Sequence, residues 1–108
     1  MSTPDEVLAA IRATRAELNR GPDHLHETEL AAERAEDAAQ LAFDKVLMQA
    51  DGSIPEKQAQ ARAASVGERD AAFIARAAHN RVRAKIRALE ASLVSLQAEL
   101  KWAREEGA

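Results

Sequence analysis

The sequence contains no cysteine, no tyrosine and only three aromatic residues: Phe43, Phe73 and Trp102. The absence of cysteine excludes disulfides and thiolate metal sites. The scarcity of aromatics removes the stacking platform that single-stranded nucleic-acid binders use. It also limits how much area a core can bury. Long apolar runs are missing too, and a membrane-spanning helix needs about 20 such residues. The opening "MSTPDEVLAA" has no basic region followed by an apolar stretch, so no signal peptide is expected. A cytoplasmic protein is the expectation. Proline occurs three times and glycine four times in 108 residues, so the chain has few places to break.

What remains is the vocabulary of long helices. Hydrophobic residues make up 46%, much of it alanine, and charged residues 31%. Alanine loses almost no side-chain entropy in a helix but buries little surface. Residues 1–52 carry 11 acids and 5 bases, whereas residues 53–108 carry 7 acids and 10 bases. Folding one half against the other pairs opposite fields, which fits an antiparallel hairpin.

Three helices are expected in one domain, at about 4–20, 24–49 and 54–106. Thr3-Pro4-Asp5-Glu6 reads as a capping box with proline in the first turn. Val7, Leu8, Ile11 and Leu18 then share a side, and Gly21-Pro22 is expected to stop the helix. The second helix draws its apolar face from Ala31, Ala35, Ala38, Ala42 and Val46, with Leu30, Leu41 and Leu47 beside it. Asp51-Gly52 is a turn signal. Ser53 and Glu56 form a second capping box, with Pro55 in the first turn. From there to Gly107 only Gly67 weakens the pattern, so one unbroken helix is expected.

In that last helix Ile86, Leu89, Leu93, Leu96 and Leu100 recur at alternating steps of three and four, the spacing of a coiled-coil seam. The frame continues up through Val82 and weakens at His79, Ala75 and Ala72. A second phase through Val66, Phe73 and Ala77 suggests a change of register or partner near residues 75–82. The fold class expected is therefore all-α: a long antiparallel helical hairpin or coiled coil with a short N-terminal third helix. The first helix either continues in line along residues 84–100 or folds back into a three-helix bundle. The leucine stripe is richer than that small helix needs, so a homo-oligomer sharing Ile86, Leu89, Leu93, Leu96, Leu100 and Trp102 is expected. Truncating a buried Leu93 or Leu96 to alanine would cost about 2–4 kcal/mol.

Candidate chemistry is sparse. "RAAHNRVRAKIR", residues 76–87, contains Arg76, Arg81, Arg83, Lys85 and Arg87 and no acid. A phosphate backbone can track such a ridge. The same charges can instead pair with Glu27, Glu29, Glu33, Glu36 and Asp37 of the second helix. His24 and His26 with Glu27 and Glu29 are metal-capable types, but ligands on one helical face sit three or four apart, the two histidines are only two apart, and the i, i+3 spacing of His26 and Glu29 is by itself common. No phosphate loop, nucleophile elbow or His-Glu-x-x-His motif is present. Ser65, Ser92 and Ser95 have no triad partners in readable spacing. Neither enzyme activity nor a cofactor or metal is expected.

The order "AFDKVLMQADGSIPEKQAQARA" followed by "RAKIRALEASLVSLQAELKWAREE" resembles small helical proteins of tailed bacteriophages. It is also similar to part of the UvsY recombination mediators of T-even phages. The resemblance covers roughly residues 38–106 and lies in helix breaks and charge spacing. It implies an oligomer that binds single-stranded DNA through Lys45, Lys57, Arg62, Arg69, Arg76, Arg83 and Lys85. The reading favoured by the residues is a non-enzymatic phage accessory protein that self-associates through its C-terminal helix. The alternatives are a single-stranded nucleic-acid-binding recombination factor and a small effector that docks on a host protein. No membrane role is expected.

Overall fold

The computed structural model describes residues 2–106, which leaves Gly107, the expected final stop, outside the described residues. The chain is all-α and forms a helical hairpin. Helix α1 spans Pro4–Gln49, α2 spans Ile54–Ala64 and α3 spans Val66–Glu106. The hydroxyl half of each expected capping box forms. The Glu6 N–H donates to Thr3 Oγ1 at 3.2 Å, and the Glu56 N–H to Ser53 Oγ at 3.4 Å. The turn between α1 and α2 depends on Gly52, whose φ of +114° is a conformation that side chains resist.

The helix boundaries differ from the expectation at two places. Gly21-Pro22 does not end a helix, because α1 runs through it as 46 continuous residues. Pro22 still lacks an N–H for the carbonyl four residues back. It sits on an exposed face, where water can serve that carbonyl. Gly21 is buried, and its role is a close approach. A Cβ there would stand 3.1 Å from Ile86 Cδ1 and 3.3 Å from Ile86 Cγ1. The glycine that reads as a stop signal is a packing residue. The frame Val7, Ile11, Thr14, Leu18, Gly21, Leu25 and Thr28 keeps its alternating three–four spacing straight across the dipeptide. Packing along that frame outweighs the local breaker.

The second difference lies at Ser65, where the expected rod from 54 to 106 divides into α2 and α3. Ser65 has φ −102° and ψ 10°. It is fully buried, so its hydroxyl needs a backbone acceptor. Ser65 Oγ donates to the Ala61 carbonyl at 2.8 Å, the same carbonyl that accepts the Ser65 N–H at 3.1 Å. Such back-bonding by a hydroxyl bends helices. The Arg69 guanidinium donates across the interruption to the Arg62 carbonyl at 2.8 Å. Gly67 makes no close approach there, since a Cβ at that position would meet nothing.

Two compact units divide the described residues. In the first, residues 2–25 lie against residues 81–106. Their pairing is antiparallel: Pro4 shares a hollow with Trp102, while Gly21 abuts Ile86. Val7 and Ile11 are its buried side chains, and Thr14 beside them donates its hydroxyl to the Ala10 carbonyl at 2.9 Å. The N-terminal segment therefore packs in line along the leucine stripe and does not fold back. In the second unit, residues 26–80, the core is small: Ala32, Ala39, Ala61 and Ala72, with Ser65 and His79. The apolar face of α1 here is centred one residue later than expected. Ala31, Ala38 and Leu41 are exposed, whereas Ala32 and Ala39 are buried.

Candidate interaction surface

The structure places the predicted self-association residues on two different sides of α3. Ile86, Leu89, Leu93, Leu96 and Leu100 are half-buried on the side that meets the N-terminal segment of α1. Ile86 and Leu89 line a hollow there with Glu17, Gly21 and His24. Trp102 stands apart, 65% exposed beside Ala98, Ala103 and Pro4. A two-helix contact covers only one flank of each leucine, so the stripe stays half-covered. Val94, 66% exposed, lies outside the seam.

No register switch occurs near residues 75–82. Phe73 is 76% exposed and Val66 is exposed as well, so the large side chains of the alternative phase face solvent and only Ala77 is half-buried. The leucine frame instead continues unbroken through Val82, His79, Ala75 and Ala72, with His79 and Ala72 both buried. The weak-looking stretch is the core of the second unit. Sequence reasoning undervalued His79. Its signal was its place in the three–four frame, where a polar residue in a seam commonly fixes register.

His79 is the centre of a polar cluster within that unit. Its Nε2 lies 2.6 Å from Glu29 Oε2, and its Nδ1 lies 2.9 Å from Thr28 Oγ1. Since an ionised carboxylate only accepts, the Nε2 side carries a proton. The Arg76 guanidinium donates to Glu36 Oε1 at 2.6 Å through Nη2 and to Glu36 Oε2 at 3.1 Å through Nε. Its Nη1 reaches Glu29 Oε2 at 3.3 Å. A planar guanidinium bridging two carboxylates suits arginine and not lysine. Burial works to raise the Glu29 carboxyl, but the hydrogen bond and charge of Arg76, aided by His79, hold it below the ordinary glutamate range. The Arg76 hydrogen bond lowers Glu36 in the same way. Glu36 in turn raises Arg76, with Glu29 adding to the effect.

The basic cluster of residues 76–87 is therefore not one patch. Arg76 is turned inward to the acids of α1, as the ion-pair reading of the sequence expected. Lys85 lies 3.7 Å from Glu17. Arg81, Arg83 and Arg87 are exposed, with no acidic partner within ion-pair distance among the described residues. Glu29 faces Arg76 and His79, while His24 lines a different hollow, in the other unit. Among the described residues no three histidine or acidic side chains come together as a metal set, and no helix is long and apolar enough to cross a membrane. No family model, curated protein or solved structure matches the chain.

Proposed function

We propose that this chain is a non-enzymatic helical interaction protein that self-associates through α3. It would serve as an accessory protein of the phage type that its sequence resembles, working in the cytoplasm. The observation that carries this reading is the exposure of Val94 and Trp102 on a helix whose leucine stripe is only half-covered. Large apolar side chains held in water on a regular helix mark a surface that gains by being covered. Bundles of this kind bury such faces by pairing with further helices. Light scattering over a range of concentrations tests it. A mass that rises to that of a dimer or larger supports the reading, and a monomer at high concentration removes it.

A second reading has its own support in Arg81, Arg83 and Arg87, the basic side chains of residues 76–87 that have no acidic partner within ion-pair distance among the described residues. These could follow the phosphates of a single strand. A salt titration of oligonucleotide binding tests it. Affinity that falls steeply with salt supports it, and no binding at low salt eliminates it.

A further inference from the structure

The first unit has two sides to its α3 segment. The leucine side meets α1. The opposite side carries a second series at the same alternating spacing: Ala84, Ala88, Ala91, Ser95, Ala98 and then Trp102, the last two also bordering the hollow shared with Pro4 at the start of α1. All six are exposed. A solvated helix face normally carries Lys and Glu, which this chain has in abundance on neighbouring positions. Here, over 19 residues, the series contains no charge at all. Continued one step at each end, it meets Arg81 and Glu105, both also exposed.

The arrangement of these residues is self-complementary about residue 93. Arg81 and Glu105 stand twelve positions to either side of it. Ala84 and Trp102 stand nine to either side, Ala88 and Ala98 five, Ala91 and Ser95 two. Two antiparallel copies centred there would place each residue against its counterpart. The bulky indole meets the smallest side chain, and the basic end meets the acidic end twice. Small residues between them let the backbones approach closely. The segment is about 36 Å long at ~1.5 Å per residue, enough for a continuous helix–helix contact. A two-fold interface requires this kind of self-matching surface.

We infer that the Arg81–Glu105 outer face of α3 binds the same face of a second copy, antiparallel, with the two-fold axis at residue 93. This inference rests on the self-association reading and gives it a face and a direction. The leucines stay inside each hairpin, and the dimer forms back to back. One flanking juxtaposition is unfavourable, because Arg87 and Lys101 approach across the seam. Relieving it should tighten the pair.

The test uses the full chain, analytical ultracentrifugation and circular dichroism to confirm that every variant keeps its helicity. Arg81→Glu alone and Glu105→Arg alone should each weaken dimerisation about tenfold, since each sets two like-charged pairs across the axis. The double variant Arg81→Glu/Glu105→Arg should return to wild-type affinity, and Lys101→Glu should exceed it. Because the chain has no cysteine, Ala88→Cys mixed with Ala98→Cys should form a disulfide-linked heterodimer under mild oxidation. A dimer in which the charge swap gives no rescue, or in which these cysteines do not cross-link, overturns the inference and leaves self-association standing. A chain that stays monomeric overturns both. An Arg81→Glu variant that loses oligonucleotide binding while its dimer is unchanged assigns the face to nucleic acid and overturns the inference as well.

Discussion

The two units of this hairpin use the same seam spacing and fill it differently. In residues 2–25 with 81–106 the seam is made of Val7, Ile11 and the leucines of α3, and Gly21 lies close against the Ile86 side chain. In residues 26–80 the seam is alanine, serine and histidine, and polar groups bridge it: His79 with Glu29 and Thr28, Arg76 with Glu36. Apolar burial is proportional to area and indifferent to register at the level of a few ångströms. Alanines bury little area, and sliding one alanine ladder past another changes that area little. A buried imidazole with two specified partners has only one satisfied position. The first unit is held by area, and the second takes its register from hydrogen bonds.

The sharpest way to break this comparison is at the two breaker residues of the first unit. Pro22 lies inside α1 without contributing an N–H, and proline in a helix interior costs up to about 3 kcal/mol against alanine. Pro22→Ala is expected to stabilise by as much as that, read as a rise in melting temperature. A fall would mean that the ring makes a contact worth more than the ladder bond it removes. Gly21 should respond in the opposite direction. Gly21→Val overpacks Ile86 and should cost about 1–3 kcal/mol, with partial recovery in Gly21→Val/Ile86→Ala.

Leucine truncation is the next largest effect. Full burial would make Leu93→Ala cost about 2–4 kcal/mol. Since Leu93 is half-buried in the single chain, the expected loss in dilute solution is about half that, roughly 1–2 kcal/mol. The back-to-back dimer leaves Leu93 inside its own hairpin, so this loss should not depend on protein concentration. A loss that grew with concentration would place the leucines in the intermolecular contact.

Much of this was legible in the residues, and the failures have one physical origin. Both hydroxyl caps, the Gly52 turn and the helical class follow from local chemistry and seam spacing, whereas seam spacing alone leaves open whether the N-terminal segment packs in line along residues 84–100 or folds back. The Gly21 stop and the unbroken rod through Ser65 do not hold. At both places a side chain was judged by local propensity, and the outcome was set across the seam. Gly21 is buried against Ile86, and Ser65 is buried with nothing but backbone to receive its hydroxyl. The signal was present in each case: position 21 falls in frame with Ile11, Thr14 and Leu18, and a frame that survives a breaker argues for a helix that does too. Phe73 misled for the opposite reason. It looks like core by type, yet it lies off the frame and faces solvent.

A smaller effect isolates propensity from packing. Gly67 is helical and a Cβ there would touch nothing. Gly67→Ala should therefore stabilise by about 0.5–1 kcal/mol through helix propensity and a less flexible unfolded chain. No change would mean that the glycine relieves strain from the nearby Ser65 interruption.

The mildest prediction separates the units by pH. Glu29 and Glu36 both sit below the ordinary glutamate range in the folded chain, chiefly through Arg76, although burial opposes this at Glu29. A carboxyl whose folded pKa is depressed binds protons more readily when unfolded. Its stabilising contribution is complete above the ordinary value of about 4.5 and is lost as pH falls through the lower folded value. All three side chains are partly exposed, so solvent screening keeps the effect small. Amide exchange followed from neutral pH into the acid range, after correction for the intrinsic pH dependence of exchange, should show protection falling first around residues 28–36 and 76–79. The segments about Val7, Ile11 and Ile86 are held by apolar contact and should hold longer. Arg76→Met removes the cause and should flatten the difference. If the first unit opened first in acid, register in the second would have to come from packing of its alanines, and the polar bridge would be an ornament on a seam already fixed.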